Sequence, residues 1–94
     1  MIDTHTKVRR NPSVVARDLA DGEGGVLLHL DSGQNHGVNP SGLAIWELLE
    51  EERTVGQVAE ALRDRVEDAP ADLETDVVQF VREVAERDLV AVGR

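Results

Sequence analysis

The chain of 94 residues has no cysteine and no tyrosine, one tryptophan and one phenylalanine. Without cysteine there are no disulfides, no thiolate metal sites and no cysteine nucleophile. A cysteine-free chain also suits the cytoplasm, where we expect this one. No apolar run approaches the ~20 residues that a bilayer-crossing helix needs. The opening "MIDTHTKVRRNP" lacks the apolar stretch of a secretory signal, so no membrane partner is expected. Both Asn-Pro-Ser triplets, at Asn11 and Asn39, carry the middle proline that disqualifies a glycosylation site.

Hydrophobic residues make up 40% and charged residues 31%, the balance of a globular domain. At this length one modest core can form, with little room for a deep active-site cleft. The net charge of −9 is unevenly placed. Residues 1–46 carry five acids and four bases, whereas residues 47–88 carry fourteen acids and five bases. An acidic half repels nucleic acid and anionic membrane and attracts basic peptides. Acidic surface also simply keeps a small domain soluble.

Residues 1–12 read as a flexible N-terminal lead-in, and residues 13–92 as the folded domain. "SVVARDL" (Ser13 to Leu19) reads as a first strand, "VLLHL" (Val26 to Leu30) as a second and "QNHGV" (Gln34 to Val38) as a third. Asp21-Gly22 with two further glycines, and Asp31-Ser32-Gly33, supply the turns of an antiparallel meander. Asn39 then reads as an N-cap, with Pro40 at the first helical position, where its missing N–H costs nothing. Helix one carries Leu43, Ile45, Trp46, Leu48 and Leu49 and breaks at "EEER". Thr54 and Gln57 form a capping box for helix two, whose stripe runs Val55, Val58, Ala59, Leu62 and Val66. Asp68-Ala69-Pro70 separates it from helix three. There Leu73, Val77, Phe80, Val81 and Val84 recur at helical spacing, widened by Val78 and Ala85. Asp88 closes that helix, and "LVAV" (Leu89 to Val92) reads as a short terminal strand. The fold class is α+β, a three-stranded antiparallel sheet followed by three helices. Helices two and three form a helix-turn-helix pair with the strands as its wing.

Catalytic chemistry finds no support. His5, His29 and His36 do not share metal-pair spacing, and His29 and His36 read as structural. No serine stands in a nucleophile elbow. Gly22-Glu23-Gly24-Gly25 links strands and opens no helix, so it is not a phosphate loop. We expect no enzyme activity, no cofactor and no metal. DNA binding is the obvious guess for a winged helix, but residues 72–88 hold six acids and two bases. A reading helix must approach a polyanion, and like charge opposes it.

The third strand is short, polar and last in its meander, so it is an edge, and it has neither lysine nor proline to blunt it. Gly37 marks either a bulge or a place where another backbone comes close. The functional reading is an extended peptide added as a fourth strand along Gln34, Asn35, His36, Gly37 and Val38. Its apolar anchors would sit against Val77, Phe80, Val81 and Val84 of helix three, with charge contacts from Asp76 and Glu83.

The run "LHLDSGQNHGVNPSGLAIWELLEEERTVGQVAEAL" resembles the PqqD-like domains, which serve as recognition elements for precursors of ribosomally synthesised, post-translationally modified peptides (RiPPs). Asn39, Gly42, Ile45, Trp46, Thr54 and Val55 stand at the family's places, as do Asp76, Phe80 and Leu89-Val90 in "DVVQFVREVAERDLV". The resemblance implies a winged helix-turn-helix that binds a leader peptide antiparallel to strand three and against helix three. It further implies a standalone subunit of a lasso-peptide system, handing the precursor to a leader peptidase and a cyclase. A PqqD-type chaperone for a radical-SAM enzyme and, less favoured, a winged-helix regulator are the other readings. Val38, where many members have leucine, and the glycine-free "EEER" break depart from the family pattern. Trp46 is expected to clamp helix one onto the sheet and so fix the third strand.

Overall fold

The computed structural model describes residues 2–19, 22–65 and 71–93. Asp21 of the first turn, Val66 of the helix-two stripe and the Asp68-Ala69-Pro70 break lie outside the described residues. These residues form six strands and three helices: β1 (Lys7–Arg10), β2 (Val14–Asp18), β3 (Gly25–His29), β4 (Asn35–Val38), α1 (Pro40–Leu48), β5 (Arg53–Thr54), α2 (Val55–Arg65), α3 (Leu73–Glu86) and β6 (Val90–Gly93). There are two antiparallel sheets, ordered β5-β1-β6 and β2-β3-β4. The α+β class and the meander agree with the sequence reading; the single sheet does not.

The main correction concerns the N-terminus. Residues 7–10, read as part of a lead-in, are the central strand of the first sheet. Lys7 to Arg10 pair with Gly93 to Val90 on one side, and Lys7 and Val8 with Thr54 and Arg53 on the other. Val8 is fully buried. The preceding turn is built locally. The Thr6 amide bonds Asp3 O at 3.1 Å, and the Asp3 carboxylate accepts from the His5 amide at 2.9 Å. That amide holds the Asp3 carboxyl below the usual carboxylate range. Thr6 O and Thr4 O then accept from the amides of Val55 and Gly56, at 3.0 and 2.9 Å. These are donors of the first turn of α2, which has no intrahelical partner for them.

Several helix ends are satisfied by named groups. Asn39 Oδ1 accepts from the Gly42 amide at 2.7 Å, and Pro40 is the first helical residue. At α2 the capping box is reciprocal: the Thr54 amide donates to Gln57 Oε1 at 2.9 Å and the Gln57 amide to Thr54 Oγ1 at 3.1 Å. The C-terminus of α1 has no glycine. Arg10 donates to Trp46 O at 2.7 and 2.9 Å and Arg53 to Leu48 O at 2.7 Å, so two arginines serve carbonyls that a glycine turn often serves. Helix α3 ends in a Schellman motif. The amides of Leu89 and Asp88 bond Val84 O and Ala85 O, with Asp88 at φ 61°. Asn11 Nδ2 donates to Asp88 O at 2.7 Å, and His29 Nε2 lies 3.1 Å from Asp88 Oδ2. This contact joins the β1–β2 link, β3 and the end of α3.

The core lies between the sheets and the helices. Leu27, Val55, Val58, Val77, Val81 and Val84 are fully buried, with Leu49, Trp46 and Leu89 nearly so. Trp46 is structural, as expected, but its setting differs. Arg10 stacks on its ring at 5.0 Å, and the hollow beside it is lined by Val14, Val15 and Ala16 of β2. The stacked Arg10 therefore ties the indole, and with it α1, to β1.

If β1 is integral, Val8→Ala should destabilise the protein by about 2 kcal/mol, the cost of a core truncation without full collapse. Urea unfolding measures it; an unchanged midpoint would return residues 1–12 to the status of a loose lead-in.

Candidate functional site

Strand β4 ends where Asn39-Pro40 turns the chain into α1, so nothing extends the meander beyond it. Among the described residues it pairs with β3 alone, with Leu28↔Asn35, Leu27↔His36, Val26↔Gly37 and Gly25↔Val38 opposed. The His29 amide bonds Gln34 O at 3.0 Å. In an antiparallel ladder hydrogen-bonded pairs alternate. His36 and Val38, in phase with Gln34, therefore turn their N–H and C=O groups inward to β3. The N–H and C=O groups of Asn35 and Gly37 point out from the edge, which pairs with nothing among the described residues.

Side chains alternate the other way, across the faces. Val38 is buried and His36 nearly so, both toward the core, while Asn35 and Gly37 face solvent. A Cβ built on Gly37 would meet nothing within 4 Å. Side chains stand perpendicular to the sheet, so the glycine leaves its outer face bare; it is the outward amide that makes the edge available. Gln34 lies just outside the strand, its carbonyl bonded to His29.

The corner after β4 is shaped by two glycines. Gly24 has φ +96°, and a Cβ there would lie 2.1 Å from Val38 O. No other residue lets the β2–β3 link pass so close beneath the end of β4. Gly42, in the first turn of α1, is buried, and a Cβ there would meet Phe80 Cε1 at 2.8 Å and Val38 Cβ at 3.1 Å. The Phe80 ring of α3 therefore rests on the backbone of α1 beside Val38.

Between the start of α1 and α3 lies a cleft of about 530 Å³. Its apolar lining is Ile45, Leu62, Leu73, Val77 and Phe80; its polar lining is Asn39, Ser41, Gln79, Asp76 and Glu83. The charged groups in this lining are both acids. At the edge of β4, His36 Nε2 stands 3.7 Å from Glu83 Oε1, so strand and helix meet at the rim. Tertiary structure thus gathers Asp76, Val77, Phe80 and Glu83 in one cleft and joins β4 to its rim through His36 and Glu83; no residue of β4 lines the cleft itself. Val81 and Val84, fully buried like Val77, are not among the residues that line this cleft. Val78, on a border of the stripe, lines a second hollow with Asp3 and Thr4.

The opposite edge of this sheet, β2, is less suited to a guest. Its neighbouring hollow, of about 390 Å³, is lined by Arg10, Asp18 and Glu47 of mixed sign. Charged residues also stand on the strand itself, at Arg17 and Asp18, the usual guard of an edge. Among the described residues no group of three His, Asp or Glu side chains is placed to hold a metal, and no helix is long and apolar enough to cross a membrane. Asn39, Ser41, Gly42, Ile45, Leu62, Leu73 and Gln79 are cleft residues that the sequence reading did not place there. The one local sign was Gly42, a glycine inside a helix.

Comparison with known proteins gives a family and three similar structures. The family described as coenzyme PQQ synthesis protein D (PqqD) matches residues 24–90. No curated protein matches the chain. Among solved structures it is similar to TbiB1 in complex with the TbiA(beta) leader peptide, at 28% identity and a TM-score of 0.73, covering 87% of this chain and 93% of that one. It is similar to the PqqD truncation of Methylobacterium extorquens PqqCD, described as a functional and stand-alone RiPP recognition element. There the identity is 20% and the TM-score 0.79, covering 97% of this chain and 95% of that one. It is also similar to lasso peptide synthetase B1 complexed with the leader peptide, at 24% identity and a TM-score of 0.71, covering 89% and 96% of the two chains.

Gly24→Ala should cost at least about 2 kcal/mol, combining a left-handed backbone with a clash against Val38 O. A thermal melt checks it; a Tm within a degree of the parent would mean that the corner is not held at Gly24.

Proposed function

The chain belongs to the PqqD family, and from that premise we propose that it binds the leader of a ribosomally made precursor peptide. The guest adds as a strand along Asn35 to Val38 of β4, beside α3. The observation that carries this reading is the outer edge of β4, unpaired among the described residues, linked through the His36–Glu83 contact to a cleft whose charged groups are acids. Support comes also from the 28% identical TbiB1, which was solved with a leader peptide. In this reading α2 and α3 are the helix-turn-helix pair and the β2–β4 meander is the wing.

Magnitudes assign the parts their roles. The outward groups of Asn35 and Gly37 offer a few backbone hydrogen bonds, each contributing about 0.5–1.5 kcal/mol net. Association costs at least about 4 kcal/mol. The ladder therefore aligns a guest but does not by itself hold one. An apolar anchor buried against Ile45, Leu73, Val77 and Phe80 adds about 1.5–3 kcal/mol. Asp76 and Glu83 favour a guest with basic residues near that anchor, and they raise its rate of encounter. Side chains supply the selectivity because main-chain bonds are blind to sequence.

The role is non-catalytic: the chain presents the precursor to a leader peptidase and a cyclase in lasso-peptide assembly. The similarity to a stand-alone recognition element supports a protein that acts by binding. Recognition of DNA is disfavoured by the acids that α3 exposes, Glu74, Asp76, Glu83 and Glu86.

The test is a fluorescence titration with the labelled leader of the precursor encoded beside this gene, and with duplex DNA as the control. Gly37→Pro removes an outward N–H while leaving the β3 ladder intact, and should weaken leader binding about tenfold or more. Unchanged affinity in the folded variant would rule out strand addition at β4. Joint Asp76→Lys and Glu83→Lys substitution should weaken a basic leader, more strongly at low salt. An affinity indifferent to both charge and salt would remove the acids from the interface.

A further inference from the structure

His36 stands between the open edge of β4 and the acidic rim of the cleft. Its neighbours Asn35 and Gly37 carry the outward N–H and C=O groups, so a guest paired with β4 runs past it. Its own side chain lies on the inner face, 15% exposed, with Nε2 3.7 Å from Glu83 Oε1. That separation is too long for a hydrogen bond but within ion-pair range. Glu83 is 55% exposed, so its carboxylate is free to turn between the strand and the cleft that it lines. The contact therefore depends on charge: a neutral imidazole holds the carboxylate weakly, whereas an imidazolium attracts it. The other elements around His36 bring little charge to this balance. Opposite it on β3 is Leu27, apolar and fully buried. The next imidazole on that face, His29, is engaged with Asp88 Oδ2 at 3.1 Å. The cleft residues at the start of α1, Asn39, Ser41, Gly42 and Ile45, are uncharged. On α3, Asp76 is two turns before Glu83, and Glu86 and Arg87, opposite in sign, are one turn after it.

We propose that His36 makes recognition of a basic guest dependent on pH, by competing with the guest for Glu83. Uncharged, it leaves the carboxylate to a lysine or arginine of the peptide. Protonated, it takes the carboxylate for itself and repels the incoming cation. The inference rests on the strand-addition reading and adds the regulation of that site. The sign follows from Coulomb's law, because a guest cation at Glu83 lies close to the imidazole. Affinity for a basic leader therefore falls as pH falls through the histidine range, in which carboxylates stay ionised. Linkage makes the effect reciprocal: protonation weakens the guest by the factor by which the guest weakens the proton. A partly exposed charge contact supports a factor of about five. The same factor, seen from the proton, moves the His36 titration midpoint down by about 0.7 of a pH unit in the complex.

The test uses the full chain and the labelled leader of the precursor encoded beside this gene, titrated at about pH 8 and pH 5.5 at one ionic strength. The parent should bind about fivefold more weakly at the lower pH. His36→Gln and Glu83→Gln should each give an affinity that changes by less than about twofold over the same interval. Replacing each lysine or arginine of the leader by glutamine in turn should abolish the dependence at one position. The chain has three histidines, so proton NMR follows the His36 ring directly, assigned by its loss in His36→Gln. Its titration midpoint should move to lower pH when the leader binds, and stay in place with the glutamine peptide that lost the dependence. A parent affinity that is flat in pH, or a dependence that survives His36→Gln, overturns the role of His36. So does a midpoint that stays fixed or rises on binding, a readout in the parent protein that decides the matter even where His36→Gln does not fold. A parent that binds no leader at either pH overturns the strand-addition reading and this one with it. A parent that binds equally at both overturns this one alone.

Discussion

The corner from Val38 to Gly42 is the constraint on which the rest of the molecule depends. Strand β4 must end there because Pro40 has no N–H to offer a ladder and is suited to open a helix. Gly24 passes beneath Val38 O, Asn39 closes the first turn, and Gly42 admits the Phe80 ring. Three close contacts within a few residues leave α1 little freedom in direction. That direction lays α3 beside β4 without covering the strand's outer edge. An edge strand next to a helix is thus a geometric consequence of how tightly the chain turns.

A sheet with an open edge needs support from elsewhere, and the second sheet provides it. Strand β1 lies between β5 and β6, and Arg10 ties it to the end of α1 through Trp46 O and the indole face. Thr4 and Thr6 hold the start of α2. Asn11, His29 and Asp88 link the two sheets at the end of α3. The C-terminal strand therefore spends its hydrogen bonds on β1. Had it reached β4 instead, the edge would be sealed and the cleft would have no strand beside it.

The division of labor between edge and cleft follows from energetics. Main-chain bonds exchange with water, so a short ladder gives alignment and register rather than affinity. Burial of one large apolar side chain is not so compensated, and it depends steeply on fit. The acids at Asp76 and Glu83 act at longer range and are screened by salt. Partner choice in this fold therefore concentrates in the few residues that line the cleft, while the strand itself tolerates variation.

What the sequence determined by itself was everything set by neighbours a few positions apart. The meander followed from its turn residues, the α1 start from Asn39-Pro40, and the capping box from Thr54 and Gln57. The α3 stripe followed from its spacing, and the edge character of Asn35 to Val38 from its place at the end of the meander. Tertiary structure alone decided the pairings between distant segments. Strand β1 reads as a polar tail because only Val8 of its four residues is buried, and its partners lie in the far half of the chain. Periodicity put Phe80, Val81 and Val84 on one stripe, but it does not say which of them faces a core and which a cleft. Gly42 is conspicuous in the sequence as a glycine inside a helix, but only the fold shows that Phe80 lies against it. In each case the deciding energy is a contact between surfaces that meet only after the chain has folded.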